Sequence, residues 1–166
     1  VSERDFRAEH KGQKSPLTLL TNTLTDSHFQ QRDRMGRLLT FVARLDADGS
    51  VRDAASLGIG INEQTALLVE PSGIGRVVGN PYSKKPAESL QQRSVFFLDT
   101  NIVASSPLNT PLAFPNMQIV RATYDPKTGL GDTFDLTNWT GVGVDAYSIS
   151  ALGGGLTSTQ AGGSIY

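Results

Sequence analysis

The spacing of hydrophobic and polar residues predicts a strand, a helix and a second strand in the first part of the chain. Residues 17–24 are rich in Leu and Thr, which predicts a strand that ends in a loop or turn at 25–28. From residue 31 to 45 apolar residues recur at steps of three and four, as on one buried face of a helix. The residues of that face are Met35, Leu38, Leu39, Val42 and Leu45. With a short apolar strand at Leu57–Ile61, this order indicates a βαβ unit, which is right-handed and buried on both faces.

The rest of the chain is predicted to be rich in strands. Polar residues at 62–64 interrupt the apolar run of the second strand. Further strands are predicted at 65–70, 76–79 and Ser94–Asp99. Later apolar segments at 117–124 and 133–136 flank the sequence Asp-Pro-Lys-Thr-Gly, a strong turn signal, and therefore predict a hairpin. The glycine-rich end of the chain is expected to be mobile or packed at a sheet edge.

Composition divides the chain into three parts. Residues 1–16 are charged and contain Gly and Pro, which predicts a flexible arm. Residues 17–100 carry the α/β pattern, and residues 101–166 form a β-rich, Gly/Ser/Thr-rich extension of the same domain. Thirteen of the fifteen Lys and Arg residues precede residue 95, so the two larger parts are expected to differ in role. Because the chain starts at Val1, we expect the arm to follow a cleavage point.

Composition also excludes several classes of function. A length of 166 residues allows one domain with a genuine core. The net charge of −1 argues against a nucleic-acid partner, and no apolar run is long enough to span a membrane. Without cysteine there are no disulfides or thiolate metal sites, and the two histidines are far apart, so neither a metal nor a cofactor is expected. The Thr/Asn/Gly-rich tail and the lack of cysteine slightly favour a secreted or periplasmic location over a cytoplasmic one.

Residues 24–37 hold the candidate chemistry. His28 directly follows the first predicted strand, and Arg32, Arg34 and Arg37 crowd the opening turns of the predicted helix. A helix N-terminus carries partial positive charge and favours anions, so a cationic cluster there predicts that a negative group binds it. Ion pairs with Asp26, with Asp33 or with a separate segment could account for one or two of the arginines, and at least one is expected to face a ligand.

Glu63 follows the second predicted strand and is a candidate partner for His28. A carboxylate at such a point can orient an imidazole and stabilise its protonated form, and the imidazole can then activate a hydroxyl nucleophile. By spacing alone, a surface or capping histidine is the favoured interpretation of His28, and a strand-end carboxylate that faces water is the alternative for Glu63.

Two segments resemble motifs of the cyanophycinase family. Residues 26–39, D-S-H-F-Q-Q-R-D-R-M-G-R-L-L, are similar to its D-Q-H-F-x-x-R-x-R-x-x-R-L signature. Residues 57–67, L-G-I-G-I-N-E-Q-T-A-L, are similar to its L-G-I-G-I-D-E-x-T-A-L segment. The motifs occur in the family's order and at its separation, and the resemblance covers roughly residues 20–100.

This resemblance implies a serine peptidase on a three-layer, flavodoxin-like α/β sheet of the class I glutamine amidotransferase type. Family members include cyanophycinase, which releases β-Asp-Arg dipeptides from a polyaspartate backbone that carries arginine side groups, and aspartyl dipeptidase. By the match, His28 is the base of the catalytic triad and Glu63 is the acid that orients it. The residues implied in the substrate pocket are Asp26, Ser27, Arg32, Arg34 and Arg37. Guanidinium groups are natural partners for the carboxylates of an aspartate-rich peptide.

The chain departs from the family pattern at three points. The G-T-S-A-G-A elbow with the nucleophilic serine is absent, so the chain corresponds to the C-terminal half of the family fold. Ser27 and Asn62 stand where the family has Gln and Asp. We expect the N-terminal fragment of the same precursor, carrying the serine, as a partner, and a homodimer of the assembled enzyme. Alternatives are an aspartyl dipeptidase or other isopeptidase of the family, and a degenerate, non-catalytic subunit for binding or assembly.

Overall fold

The structure, a computed structural model, describes residues 19–49, 56–81, 93–100, 104–105, 107 and 109–166. The arm predicted at 1–16 lies outside these residues. In chain order the elements are β1 (Thr23–Ser27), α1 (Met35–Ala47), β2 (Leu57–Ile61), β3 (Thr65–Val69), β4 (Ile74–Gly79), β5 (Ser94–Asp99), β6 (Phe114–Thr123), β7 (Leu130–Asp135), β8 (Thr140–Val142), β9 (Asp145–Leu152) and β10 (Gly155–Ser158). A short 3₁₀ turn follows at Ala161–Gly163.

The strands form two sheets. One has six strands in the order β1-β2-β5-β6-β9-β10, and the other has four in the order β3-β4-β7-β8. The β1–β2 pair is parallel, whereas all other pairs in both sheets are antiparallel. The described chain is therefore a mixed α/β structure with a mixed six-stranded sheet.

The predicted βαβ unit is present, with α1 between the parallel strands β1 and β2, but β1 is not buried on both faces, because it is an edge strand and none of its five residues is buried. Thr23 is in register with Leu57, and Ser27 with Ile61, so the carboxyl ends of both strands lie side by side. The helix begins at Met35, four residues later than predicted, because His28 (φ 49°) and Asp33 (φ 48°) hold the preceding segment in turns that a helix cannot continue.

The first strand was predicted too early in the sequence. Residues 20–22 form a turn, and the strand extends through Ser27, so most of the loop predicted at 25–28 is strand. Its sequence, Thr-Leu-Thr-Asp-Ser, has little apolar content. Pairing with the apolar strand β2 determines its position, which is a tertiary effect that local polarity does not reveal.

The turn predicted at 125–129 is present, but its flanking strands do not form an extended hairpin. Asp125 Oδ1 accepts the Lys127 amide (2.8 Å), and Gly129 takes a positive φ of 72°. Beyond the Tyr124–Gly131 bridge the strands diverge, because β6 pairs with β5 and β9 whereas β7 pairs with β4 and β8. The turn is therefore a corner between the two sheets.

Two apolar clusters lie on opposite faces of the six-stranded sheet. Alternate residues of β5 belong to different clusters: Phe96 packs on the α1 side, and Phe97 packs on the side of the four-stranded sheet. Phe97 stacks on Phe134 of β7 at 3.7 Å between ring centroids. On α1, Ala43 is fully buried while Leu45 is only half-buried, so the predicted helical face is rotated slightly.

The end of the chain is packed at a sheet edge, which was one of the two alternatives. Gly153 and Gly154, both with positive φ, form the turn between β9 and β10, and β10 is the edge strand of the six-stranded sheet.

Candidate active site

The candidate site lies at the edge of the sheet where β1 and β2 end. In open α/β sheets, ligands bind in the crevice outside the carboxyl ends of parallel strands. His28 is the first residue after β1, and Glu63 is the second residue after β2. A cleft of about 530 Å³ opens here. Its lining residues are Ser27, His28, Ile61, Asn62, Glu63, Gln64 and Thr65.

His28 and Glu63 are hydrogen-bonded to each other. His28 Nδ1 lies 2.5 Å from Glu63 Oε1, and the two side chains are 46% and 45% exposed. A carboxylate on Nδ1 holds the imidazole in the tautomer whose Nε2 can accept a proton, and it stabilises the imidazolium that results. Because each side chain is about half exposed, a group from another segment can approach the ring. Among the described residues, no hydroxyl group is hydrogen-bonded to His28.

Two features position the His28 imidazole: the left-handed backbone conformation of His28 and the burial of the next residue, Phe29. His28 has φ 49°, which turns the chain sharply at the end of β1. The next residue, Phe29, is fully buried, and its amide donates to the Ile61 carbonyl (3.2 Å). Gly60 leaves room for the Phe29 ring, because a Cβ atom at position 60 would lie only 2.6 Å from it. The Gly at position 60 of the L-G-I-G-I segment therefore has a steric role beneath His28.

Polar side chains connect the loop after β1 to the loop after β2. Asn62 is 3% exposed, and its Oδ1 accepts the backbone amide of Gln30 (2.8 Å). In the other direction, Gln31 Oε1 accepts the backbone amide of Glu63 (3.2 Å). These two bonds hold the His28 and Glu63 loops together. The motifs did not identify Gln31, because a side chain that binds a distant backbone amide leaves no local pattern.

Two of the three arginines are paired with Asp26. Arg34 Nη1 donates to Asp26 Oδ1 (2.8 Å), and Arg37 binds both carboxylate oxygens, with Nε 3.0 Å from Oδ2. The Asp26 side chain is 9% exposed. Burial raises the pKa of Asp26, but hydrogen bonds from Arg37 and Arg34 outweigh it and hold the pKa below its ordinary value. For these two arginines, the negative group expected at the helix N-terminus is Asp26 itself.

The remaining predicted pocket residues differ in their placement. Ser27 lines the cleft, and its carbonyl accepts a bond from Arg34 Nη1 (2.7 Å). Arg32 is exposed, and its side chain has no ion pair with any described residue. None of Asp26, Arg32, Arg34 and Arg37 lines the cleft. Of the three arginines, Arg32 is therefore the one whose charge is not compensated within the described chain.

The described residues show neither a metal site nor a membrane-spanning helix. The described part of the chain contains no group of three or more His, Asp or Glu side chains arranged to hold a metal ion. No described helix is both long enough and apolar enough to cross a bilayer. No protein-family model matches this chain, and no curated protein sequence is detectably similar to it.

Proposed function

We propose that this chain is the His/Glu-bearing part of a cleaved, cyanophycinase-like serine hydrolase built on a flavodoxin-like sheet. The observation that carries the proposal is the 2.5 Å hydrogen bond between His28 Nδ1 and Glu63 Oε1. Both residues come from motifs that resemble the family, and their strands, β1 and β2, are adjacent and parallel. That arrangement supports a base and its orienting acid at the mouth of a cleft.

In the proposed reaction the nucleophile is a serine on the N-terminal fragment of the same precursor. Its hydroxyl attacks the scissile carbonyl while His28 Nε2 takes the proton, and Glu63 stabilises the imidazolium. His28 then protonates the leaving amine as the tetrahedral intermediate collapses to an acyl-enzyme. Water deacylates the serine with His28 again acting as the base. The half exposure of His28 leaves room for the partner fragment.

The proposed substrate is an aspartate-rich peptide, with release of β-Asp-Arg dipeptides from cyanophycin. Arg32 is the candidate for binding a substrate carboxylate, because Arg34 and Arg37 are already engaged by Asp26. Arg37 is nevertheless 46% exposed. It could bind a second anion on its open side without leaving Asp26, because a guanidinium group has five N–H donors.

The test is cyanophycin hydrolysis by this chain purified together with its N-terminal fragment. We expect His28→Ala to reduce kcat by at least about a thousandfold, since triad members act as a unit. The matched control is His10→Ala, which removes the only other histidine and should leave kcat unchanged. A serine-directed phosphonate should label the partner fragment. Turnover that survives His28→Ala would refute the proposal, and a partner that lacks a reactive serine would favour the non-catalytic alternative.

A further inference from the structure

The helix α1 has no N-terminal cap from its own sequence. The residue at the N-cap, Arg34, makes no side-chain capping bond, and the first turn contains no acidic residue. Instead, the amide of Met35 donates to the hydroxyl of Tyr166 (3.0 Å), 131 residues further along the chain. A first-turn amide normally needs an acceptor close in sequence. Here that acceptor comes from the far end of the described chain.

The same hydroxyl also binds the loop that leads from His28 to the helix. Tyr166 Oη donates to Asp33 Oδ1 (2.9 Å), and Asp33 is one of the two left-handed residues of this loop. The hydroxyl thus bridges the last part of the loop and the first residue of α1. Burial raises the pKa of Tyr166; the Met35 amide opposes this and the Asp33 carboxylate reinforces it, so the hydroxyl keeps the proton that it donates.

The ring of Tyr166 contacts the residue next to His28. It packs edge-on against Phe29 (6.0 Å between centroids, 80° between planes) and against Phe96 (5.9 Å, 78°). Phe29 is fully buried and directly follows His28. Tyr166 therefore contacts the His28 loop at its beginning, through Phe29, and at its end, through Asp33.

The segment that carries Tyr166 is itself anchored. The Tyr147 hydroxyl donates to the Ile165 carbonyl (3.1 Å), and Gln160 Nε2 donates to the Tyr166 carbonyl (3.1 Å). Tyr147 belongs to β9 of the six-stranded sheet. A fixed tyrosine that holds a loop with two left-handed residues is suited to positioning, because such residues persist only where surrounding structure enforces them.

We propose that Tyr166 is a positioning residue that keeps the His28 imidazole in place to hydrogen-bond with Glu63. The expected effect of Tyr166 on activity rests on the proposed hydrolase function. Its effect on the order of the loop does not, because that order can be measured in a protein without activity. Tyr166 does not touch the cleft, whose lining residues lie between 27 and 65. It acts through Phe29 and through the Asp33–Met35 bridge.

The test compares Tyr166→Phe, which keeps the ring and removes the hydroxyl, with Tyr124→Phe. Tyr124 lies in the other apolar cluster, so it controls for loss of a tyrosine hydroxyl elsewhere in the fold. Two measurements are made on the purified protein: amide hydrogen exchange at residues 29–35, and hydrolysis by the protein assembled with its N-terminal fragment. We expect Tyr166→Phe to speed exchange at Met35 at least about tenfold and to lower kcat about tenfold with little change in KM.

Asp33→Ala tests the same bridge from its other side. If the hydroxyl acts through Asp33, the double variant Tyr166→Phe/Asp33→Ala should lose no more kcat than the more impaired single variant. Unchanged exchange at Met35 in Tyr166→Phe would overturn the inference, whether or not the protein hydrolyses cyanophycin. Faster exchange with unchanged kcat in an active enzyme would also overturn it. Faster exchange in a protein without any hydrolytic activity would refute the proposed function and retain Tyr166 as the residue that orders the loop.

Discussion

Replacing Gly60 by Ala tests whether packing beneath the His28 loop controls the His28–Glu63 pair. A Cβ atom at position 60 would lie 2.6 Å from three atoms of the Phe29 ring, whereas ordinary contact begins at 3.4 Å. The ring would therefore have to retreat by about 0.8 Å, the difference between these two distances. Phe29 is fully buried and packs against Phe96 at 5.4 Å, so it has little space into which to move.

The expected cost follows from this crowding. Forcing extra carbon atoms into a well-packed core costs about 1–3 kcal/mol, and Gly60→Ala should fall at about 2–3 kcal/mol because an aromatic ring must move. Gly58→Ala is the matched control in the same strand. Its Cβ atom would lie 3.1 Å from Leu98 and from Val42, so shifts of a few tenths of an ångström are enough. We expect this control to cost less than about 1 kcal/mol.

Urea unfolding of both variants gives the free energies, and the NMR signals of the His28 ring report on the site. Gly60→Ala should unfold at lower urea than Gly58→Ala and should shift the His28 signals, because Phe29 adjoins His28 in the chain. Gly58→Ala should leave those signals at their wild-type positions. Equal unfolding midpoints for the two variants, or wild-type His28 signals in Gly60→Ala, would refute the reasoning.

Two further predictions concern the ion pairs of Asp26 and the apolar cluster that contains Phe97. Burial raises the pKa of Asp26, but the interactions with Arg37 and Arg34 lower it by a larger amount, so the net shift is downward. Asp26 therefore stabilises the fold at pH values above its ordinary pKa of 3.8, and this contribution is lost as the pH falls through the folded-state pKa. Asp26→Asn should therefore reduce the free energy of unfolding by about 2 kcal/mol at pH 6. The deficit should shrink as the pH falls below the ordinary pKa of 3.8, and a deficit independent of pH would contradict this. Phe134→Ala removes the ring stacked on Phe97 and should destabilise the fold by about 3–5 kcal/mol in urea unfolding. The NMR signals of His28 should not change. A loss below about 1 kcal/mol would contradict the packing of the two sheets.

Local hydrophobic periodicity is sufficient to predict those elements that are themselves apolar and buried. The strand Leu57–Ile61 and the strand Ser94–Asp99 were predicted with the bounds that the structure shows. The helix was predicted from its buried stripe, but its start was not, because the left-handed residues at 28 and 33 have no hydrophobic signature. The position of β1 depends on pairing with β2, and the divergence of β6 and β7 depends on strands far apart in sequence.

The candidate site was predictable only in part, for a related reason. His28 and Glu63 could be identified because their residue types and motifs carry chemical information, and the structure places them in contact. Ion pairs with an aspartate, one of the interpretations that the sequence allows for the arginines, are present for Arg34 and Arg37. By contrast, Asn62 and Tyr166 act on backbone amides across 32 and 131 residues. Such contacts arise only once the chain has folded.

The left-handed backbone at His28 places opposing demands on this position. Among the common residues, glycine adopts such a conformation with the least strain, and another residue there costs of the order of 1–3 kcal/mol. Folding alone would therefore favour glycine at position 28, whereas proton transfer requires an imidazole. In a lineage that no longer used the proposed chemistry, drift to glycine would make the protein more stable. The identity of this one residue in related chains would thus record whether selection still maintains the reaction.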